Sequence, residues 1–310
     1  TRCIPIINAL IQSDYIPIIA SDGDALKLLQ QEFPKLKSFE LPSYQITYSK
    51  NSKFFKLKLL SILPQVLKAV KEENKTVAKI IQKEQISGII SDNRFGVRSS
   101  LVPSVYMTHQ INVLSGITTL LTSNIHQKII NKFDECWIPD DELQTFSGKL
   151  SNTENLKIPF KFLGILSRFE YKKIKKIYNL TVVLSGVEPQ RSIFEKQLLN
   201  QLENYSGNVL FIRGIIDSKK TIASKKNITI KNYLRSSELE LILNQSKLVL
   251  MRSGYSSIMD LAKLGKKVFF IPTPGQNEQE YLASFLQEKK RAPFSKQKYF
   301  KIENLSGIVN

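Results

Sequence analysis

Met251-Arg252-Ser253-Gly254-Tyr255-Ser256-Ser257-Ile258-Met259-Asp260-Leu261-Ala262-Lys263-Leu264-Gly265-Lys266-Lys267 reads as a strand end, a turn of small residues, and a helix that stops at a glycine. The apolar run Leu248-Val249-Leu250-Met251 leads into it, and Val268-Phe269-Phe270-Ile271, stopped by Pro272, follows. Strand, helix and strand at this spacing make a βαβ unit, which requires a parallel sheet covered by helices. Ser253, Gly254, Ser256 and Ser257 leave the helix N-terminus open. Its unpaired N–H groups and partial positive charge suit a phosphate or diphosphate. Asp260 lies four residues past Ser256, on the same helical face, where it can accept from a ribose hydroxyl. The turn Pro272-Thr273-Pro274-Gly275 then opens a helix whose Gln276, Gln279 and Glu280 can hydrogen-bond sugar hydroxyls.

Working outward, short β-branched runs alternate with amphipathic stretches on both sides. In the second half these runs are Leu180–Leu184, Val209–Ile212 and Ile228–Ile230, with Ser236 expected to cap the helix that follows. In the first half they are Ile16–Ala20, Gly88–Ser91, Val105–Thr108 and Glu135–Pro139. A helix is expected over Leu57–Gln82, broken at Pro64, and His126 is expected on the surface of a helix over 122–132. The polar loop Ser151–Asn155 marks a boundary. The expected architecture is α/β, with two Rossmann-like, doubly wound domains over residues 1–158 and 159–310. Ligands in such sheets lie beyond the carboxyl ends of the strands.

The stretch around Asp260 resembles the donor-binding signature of glycosyltransferases with the two-domain GT-B fold. It is similar in particular to the MurG-type family (glycosyltransferase family 28), which uses UDP-N-acetylglucosamine. The likeness runs over residues 160–290 in order and spacing. It implies two facing Rossmann-like domains and a donor site on the second. In that site Asp260 holds the ribose, Ser253, Gly254, Ser256 and Ser257 face the diphosphate, and Arg252 belongs to the donor-binding set. Gln279 and Glu280, with Gln276, face the sugar. Arg168 approaches the phosphates, Ser185-Gly186 takes the place of the Gly-rich first turn, and the Tyr233-Leu234 segment reads the nucleobase. Arg213, at another strand end, joins this donor set. The family has two adjacent glutamines where Gln279-Glu280 stands, which leaves the sugar open. The family also carries a GxGHxxR loop after its first strand. Thr1-Arg2 looks like the tail of that loop, so the first sheet is expected to lack a central strand. The family works by inverting displacement without a metal.

An inverting transfer needs a general base. Asp92 and His109, both at strand ends, are the candidates within the chain, beside a histidine of the loop expected upstream. No acidic pair stands where a metal would meet a diphosphate. Asp140-Asp141 is expected to cap a helix, and no cofactor is expected beyond the UDP-sugar substrate. Two cysteines, Cys3 and Cys136, fit neither a disulfide framework nor a zinc site, which points to a reducing, cytoplasmic setting. The net charge of +18 asks for an anionic partner. An anionic membrane face fits a peripheral enzyme with a glycan or lipid-linked acceptor. The lack of basic–aromatic interleaving argues against nucleic acid. Two other readings stand beside glycosyl transfer. One is a nucleotide-sugar 2-epimerase on the same fold, and the other is a non-catalytic nucleotide or nucleic-acid binding module.

Overall fold

The computed structural model describes residues 1–44, 55–186, 188–215, 224 and 227–308, the side chains of 55–63 and 117 excepted. The chain divides into two compact units, Thr1–Gly164 and Ile165–Asn310. Two lysine pairs of this basic chain, Lys219-Lys220 and Lys225-Lys226, lie outside the described residues.

The first unit runs α1 (Cys3–Gln12), β1 (Ile19–Ser21), α2 (Gly23–Glu32), β2 (Ser38–Glu40), α3 (Phe55–Glu84), β3 (Ile89–Asp92), β4 (Ser104–Met107), α4 (Thr119–Ile130), β5 (Glu135–Ile138) and β6 (Phe160–Phe162). Its described strands form two sheets. β1 pairs with β2, and β3-β4-β5-β6 form a separate sheet; every pairing is parallel. Ala20 and Phe39 of the small sheet and Ile89 of the large one meet Val77, Ile80 and Ile81 of α3 in one apolar cluster. A second cluster, built on Tyr106, Ile111, Ile130, Phe133, Cys136 and Ile138, holds α4 on the larger sheet.

The second unit runs β7 (Tyr178–Val183), α5 (Gln190–Leu202), β8 (Val209–Ile212), β9 (Ile228–Lys231), α6 (Ser236–Asn244), β10 (Ser246–Met251), α7 (Tyr255–Lys263), β11 (Lys267–Phe270) and α8 (Asn277–Glu288). Its five strands form one parallel sheet in the order β11-β10-β7-β8-β9. Every residue of β8 is buried, as are five of the six in β10. Strands covered on both faces read as continuous apolar runs, which is why the sequence displays them so plainly. α5 lays Phe194, Leu198 and Leu202, spaced four apart, onto that sheet. Gly265, at φ 57°, ends α7 in the left-handed conformation that closes many helices.

Five expectations are corrected. Phe160–Phe162 pairs with β5, so the division falls at Gly164 rather than after residue 158; a strand hydrogen-bonded to the first sheet belongs to the first unit. α3 continues through Pro64, although a proline removes one backbone donor from a helix. Ser236 is the first residue of α6 rather than its cap. Glu238 closes that end by accepting from the Arg235 N–H at 3.0 Å. Asp140 is fully buried and caps no α-helix. Its carboxylate accepts from the N–H groups of Asp141 (2.8 Å) and Ser147 (2.7 Å), closing a turn. His126 lies on α4 but faces inward, against Phe95 and Tyr106, whose hydroxyl is 3.0 Å from Nε2. Burial lowers that imidazole to about 4.

Leu250, fully buried in β10, tests the core that carries the second unit. Leu250→Ala is expected to lower the unfolding free energy by about 2–5 kcal/mol. Urea denaturation measures this, and a loss near zero would mean the sheet does not hold the unit together.

Candidate active site

In the second unit the chain extends from β7 to β8 and β9 on one side, while β10 and β11 lie on the other. The carboxyl ends of β7 and β10 are therefore the switch point, where open α/β sheets bind ligands. The turns there are Leu184-Ser185-Gly186 and Arg252-Ser253-Gly254. Gly186 takes φ 105°, a conformation open to glycine and strained for other residues. Gly214, beyond β8, takes φ 71°, and any side chain there would collide with the Leu184 carbonyl.

Gly254 is the N-cap residue of α7, and no side chain caps that helix end. Ser256 and Ser257 on its first turn are partly exposed. This N-terminus, whose N-cap residue offers no side chain, lies at the switch point. Asp260 follows one turn in. Its Oδ1 accepts from the Ser167 hydroxyl at 2.6 Å. Burial pushes its carboxyl above the ordinary value, against the opposing pull of that hydrogen bond and of the Arg168 charge. Arg168 donates from Nη1 to the Ser236 hydroxyl at 2.8 Å, which places its guanidinium between α6 and α7. Tyr233 and Leu234 follow β9, half-buried, at the same end of the sheet, and Gln276 is the N-cap residue of α8.

Several of the side chains expected in the donor site make ties within the scaffold. Arg252 is buried: Nη1 donates to the carbonyls of Ile271 and Pro272 (both 3.1 Å) and Nη2 to Gln297 Oε1 (2.8 Å). It stacks over Phe194, and burial lowers it to about 10. Ser253 is also buried, and its hydroxyl donates to the Gln279 carbonyl at 2.8 Å. Gln279 Oε1 accepts from Thr273 N at 2.9 Å, and Glu280 Oε1 from Gly275 N at 3.2 Å. These side chains shape the β11–α8 turn. Arg213 is engaged by Glu195 (2.8 Å) and by Asn232 Oδ1 (2.9 Å). Two further residues lie beside the candidate site. Ser167 orients Asp260. Thr273 is buried, and its Oγ1 has no hydrogen-bond partner among the described residues; it stands 3.8 Å from where a side chain would begin at Gly186. Its signal was present: it is the first polar residue past a buried strand.

In the first unit, β3 and β4 are parallel neighbours, so Asp92 and His109 emerge at the same edge. Arg2 joins them. Its Nε donates to Asp92 Oδ1 at 2.6 Å and its Nη1 to His109 Nδ1 at 2.8 Å. Cys3 donates to Asp92 Oδ2 at 3.1 Å. Arg94, two residues past Asp92, pairs with Glu73 and Asp22. Burial pushes the Asp92 carboxyl up, but the Arg2 charge and the hydrogen bonds from Arg2 and Cys3 outweigh it and hold the group below its ordinary value. Asp92 is therefore a weak base with both oxygens engaged. A guanidinium only donates, so Nδ1 of His109 accepts, and the neutral ring carries its proton on Nε2.

The Asp92 geometry has a consequence for acid stability. A carboxyl lowered in the folded state contributes stability above its unfolded pKa, about 4, and loses it as pH falls through the folded value. Unfolding free energies measured from pH 5 downward are expected to fall. Asp92→Asn should flatten part of that decline, and an unchanged slope would deny the ion pair.

Residues 188–309 match the glycosyltransferase family 28 C-terminal domain. The chain is similar to the UDP-N-acetylglucosamine--N-acetylmuramyl-(pentapeptide) pyrophosphoryl-undecaprenol N-acetylglucosamine transferases of Haemophilus ducreyi and Buchnera aphidicola. The identities are 22% over 69% of this chain and 26% over 66%. It spans 59% and 56% of those relatives' lengths. Among solved structures, the glycosyltransferase of kitacinnamycin superposes with a TM-score of 0.67 at 11% identity, over 99% of this chain and 85% of that one. The chain thus has the α/β fold of the GT-B glycosyltransferases, its residues 188–309 are similar to the family 28 C-terminal domain, and it has distant MurG homologues.

Proposed function

We propose that this chain carries the donor-binding half of a glycosyltransferase that moves a sugar from a UDP-sugar to a glycan or lipid-linked acceptor, with inversion. The observation that carries the reading is the α7 N-terminus. It lies at the switch point, capped by no side chain, with Asp260 one turn further along. The family 28 match over the same residues supports it. The diphosphate is assigned to the first turn of α7, through Gly254, Ser256 and Ser257. The ribose hydroxyls are assigned to Asp260 and the nucleobase to Tyr233-Leu234. Charge growing on the leaving diphosphate is met by the helix end and by Arg168 in place of a metal. N-acetylglucosamine is the sugar named for the curated relatives, and it is the first donor to try.

The acceptor hydroxyl's proton is assigned to His109 before Asp92, because Arg2 and Cys3 occupy the carboxylate. For His109 to act from Nδ1, Arg2 must release that atom. No helix among the described residues is long and apolar enough to cross a membrane. An anionic membrane face is proposed as the place of a lipid-linked acceptor, on the strength of the +18 charge.

Thermal unfolding with UDP, GDP, ADP, CMP and UDP-N-acetylglucosamine tests the donor reading. A ligand that binds only the folded state adds about 2.7 kcal/mol at a hundred times its dissociation constant. Selective stabilisation by UDP or its sugar is expected, and indifference to every nucleotide would refute the proposal. Asp260→Ala is expected to weaken UDP at least tenfold by calorimetry while leaving the melting temperature of the ligand-free protein within a few degrees. Unchanged affinity would remove the ribose assignment.

A further inference from the structure

The amino ends of β7, β10 and β11 lie at the end of the sheet opposite the donor turns, because the strands are parallel. There the stretch 170–177 runs along the carboxyl end of α6, held by the fully buried Asn244. Asn244 Oδ1 accepts from Lys172 N at 2.9 Å, and its Nδ2 donates to the Glu170 carbonyl at 3.0 Å. Its backbone carbonyl receives two ammonium groups, Lys176 Nζ at 2.7 Å and Lys266 Nζ at 3.1 Å. Lys266 also reaches the Ser246 carbonyl at 3.4 Å. Cations complement a helix carboxyl end, and the two lone pairs of this one oxygen bring two ammonium groups together.

The acids nearby are engaged by other lysines: Glu240 pairs with Lys172 and Glu170 with Lys263. Among the described residues, neither Lys176 nor Lys266 has a carboxylate within ion-pair distance. Two ammonium groups bound to one carbonyl oxygen stand within about 6 Å of each other and repel. Burial, and then the hydrogen bond and the charge of Lys176, lower Lys266 to about 7. Each ammonium has three donors. Lys176 places one on a carbonyl and Lys266 two, so donors remain on both. Lys173 and Lys175 stand exposed beside them, flanked by the exposed Tyr171 and Ile177.

We propose that Lys176 and Lys266 form a second anion site in this unit, for a phosphate-class oxyanion bridging the two ammonium groups. The oxyanion comes either from a soluble phosphate or diphosphate or from the headgroup of an anionic lipid. The site lies at the other end of the sheet from the α7 turn, so it stands independently of the donor reading.

The test uses the full chain at pH 6.5 and constant ionic strength. Calorimetry with inorganic phosphate and pyrophosphate probes the soluble source. Sedimentation with phosphatidylcholine vesicles, with and without phosphatidylglycerol, probes the lipid. Lys176→Gln and Lys266→Gln are compared with Lys196→Gln, which removes an exposed charge on α5. A loss of tenfold or more in both site variants, with Lys196→Gln like the parent, is the expected result. Binding of soluble phosphate without vesicles assigns the soluble source, and binding of phosphatidylglycerol vesicles alone assigns the headgroup. No binding of either probe, or equal losses in all three variants, overturns the site. UDP binding, followed in parallel, reports on the donor reading alone.

Discussion

The parallel pairing of β7 with β10 is the constraint on which the candidate donor site rests. Residues far apart in sequence, Leu180 and Leu248, become register partners, and the strands then end together at Val183 and Met251. Both strands are buried, so a slip in register would carry apolar side chains out of the core and move both turns. The turn after β7 can take its path because Gly186 accepts a positive φ. The turn after β10 is fixed by the side chains the sequence offered as ligands. Arg252 ties it to the β11 end, and Ser253 ties it to α8. The helix end that remains open is thus held from behind by buried hydrogen bonds. A site meant to meet a developing charge gains from donors that are already in place and need no reorganisation.

Arg252 shows how such a tie differs from a contact. It is a buried cation whose hydrogen-bonded partners are all neutral oxygens, and burial lowers its pKa. Burying a charge without an opposite charge is costly, and the cost is offset only when hydrogen bonds and packing are good. Here three carbonyls, one amide oxygen and the Phe194 ring supply them. The guanidinium gathers the start of α5, the β11 turn and the segment at Gln297 at one point. By this geometry Arg252 is a positioning residue: it sets where the Thr273 loop lies relative to the α7 turn.

The sequence made the second unit legible because its strands are buried on both faces. Val209–Ile212 is a four-residue apolar run and is the observed β8 without change. The Ser/Gly turn before α7 and Asp260 one turn on were legible for the same local reason, since helix periodicity fixes which residues share a face. Contacts across long separations were not. Nothing near Asp260 in the chain names Ser167, 93 positions away, and nothing near Asp92 names Arg2 or Cys3. His126 looked like a surface residue because polar residues usually face water; a tertiary pocket of Phe95 and Tyr106 overrode that preference. The contacts of Gln279 and Glu280 with the tight turn before α8, whose N–H groups need acceptors, were not legible either.

The strand-end cluster of the first unit follows from that same requirement, with charges in place of amides. Asp92, half-buried at the end of β3, needs donors, and Arg2 and Cys3 provide them from the start of α1. Arg2 then has a further N–H to place, and His109 Nδ1 receives it. A carboxylate, a guanidinium and an imidazole in line form a polarised chain in which each member sets the next one's protonation. The carboxylate stays ionised because the guanidinium is charged, and the imidazole keeps its proton on Nε2 because Nδ1 accepts. Any event that draws Arg2 toward a bound anion would free the Nδ1 lone pair and weaken the hold on Asp92 together. The basicity of both candidate bases is therefore governed by one side chain, Arg2, which is the group to follow when asking how this edge of the sheet could handle a proton.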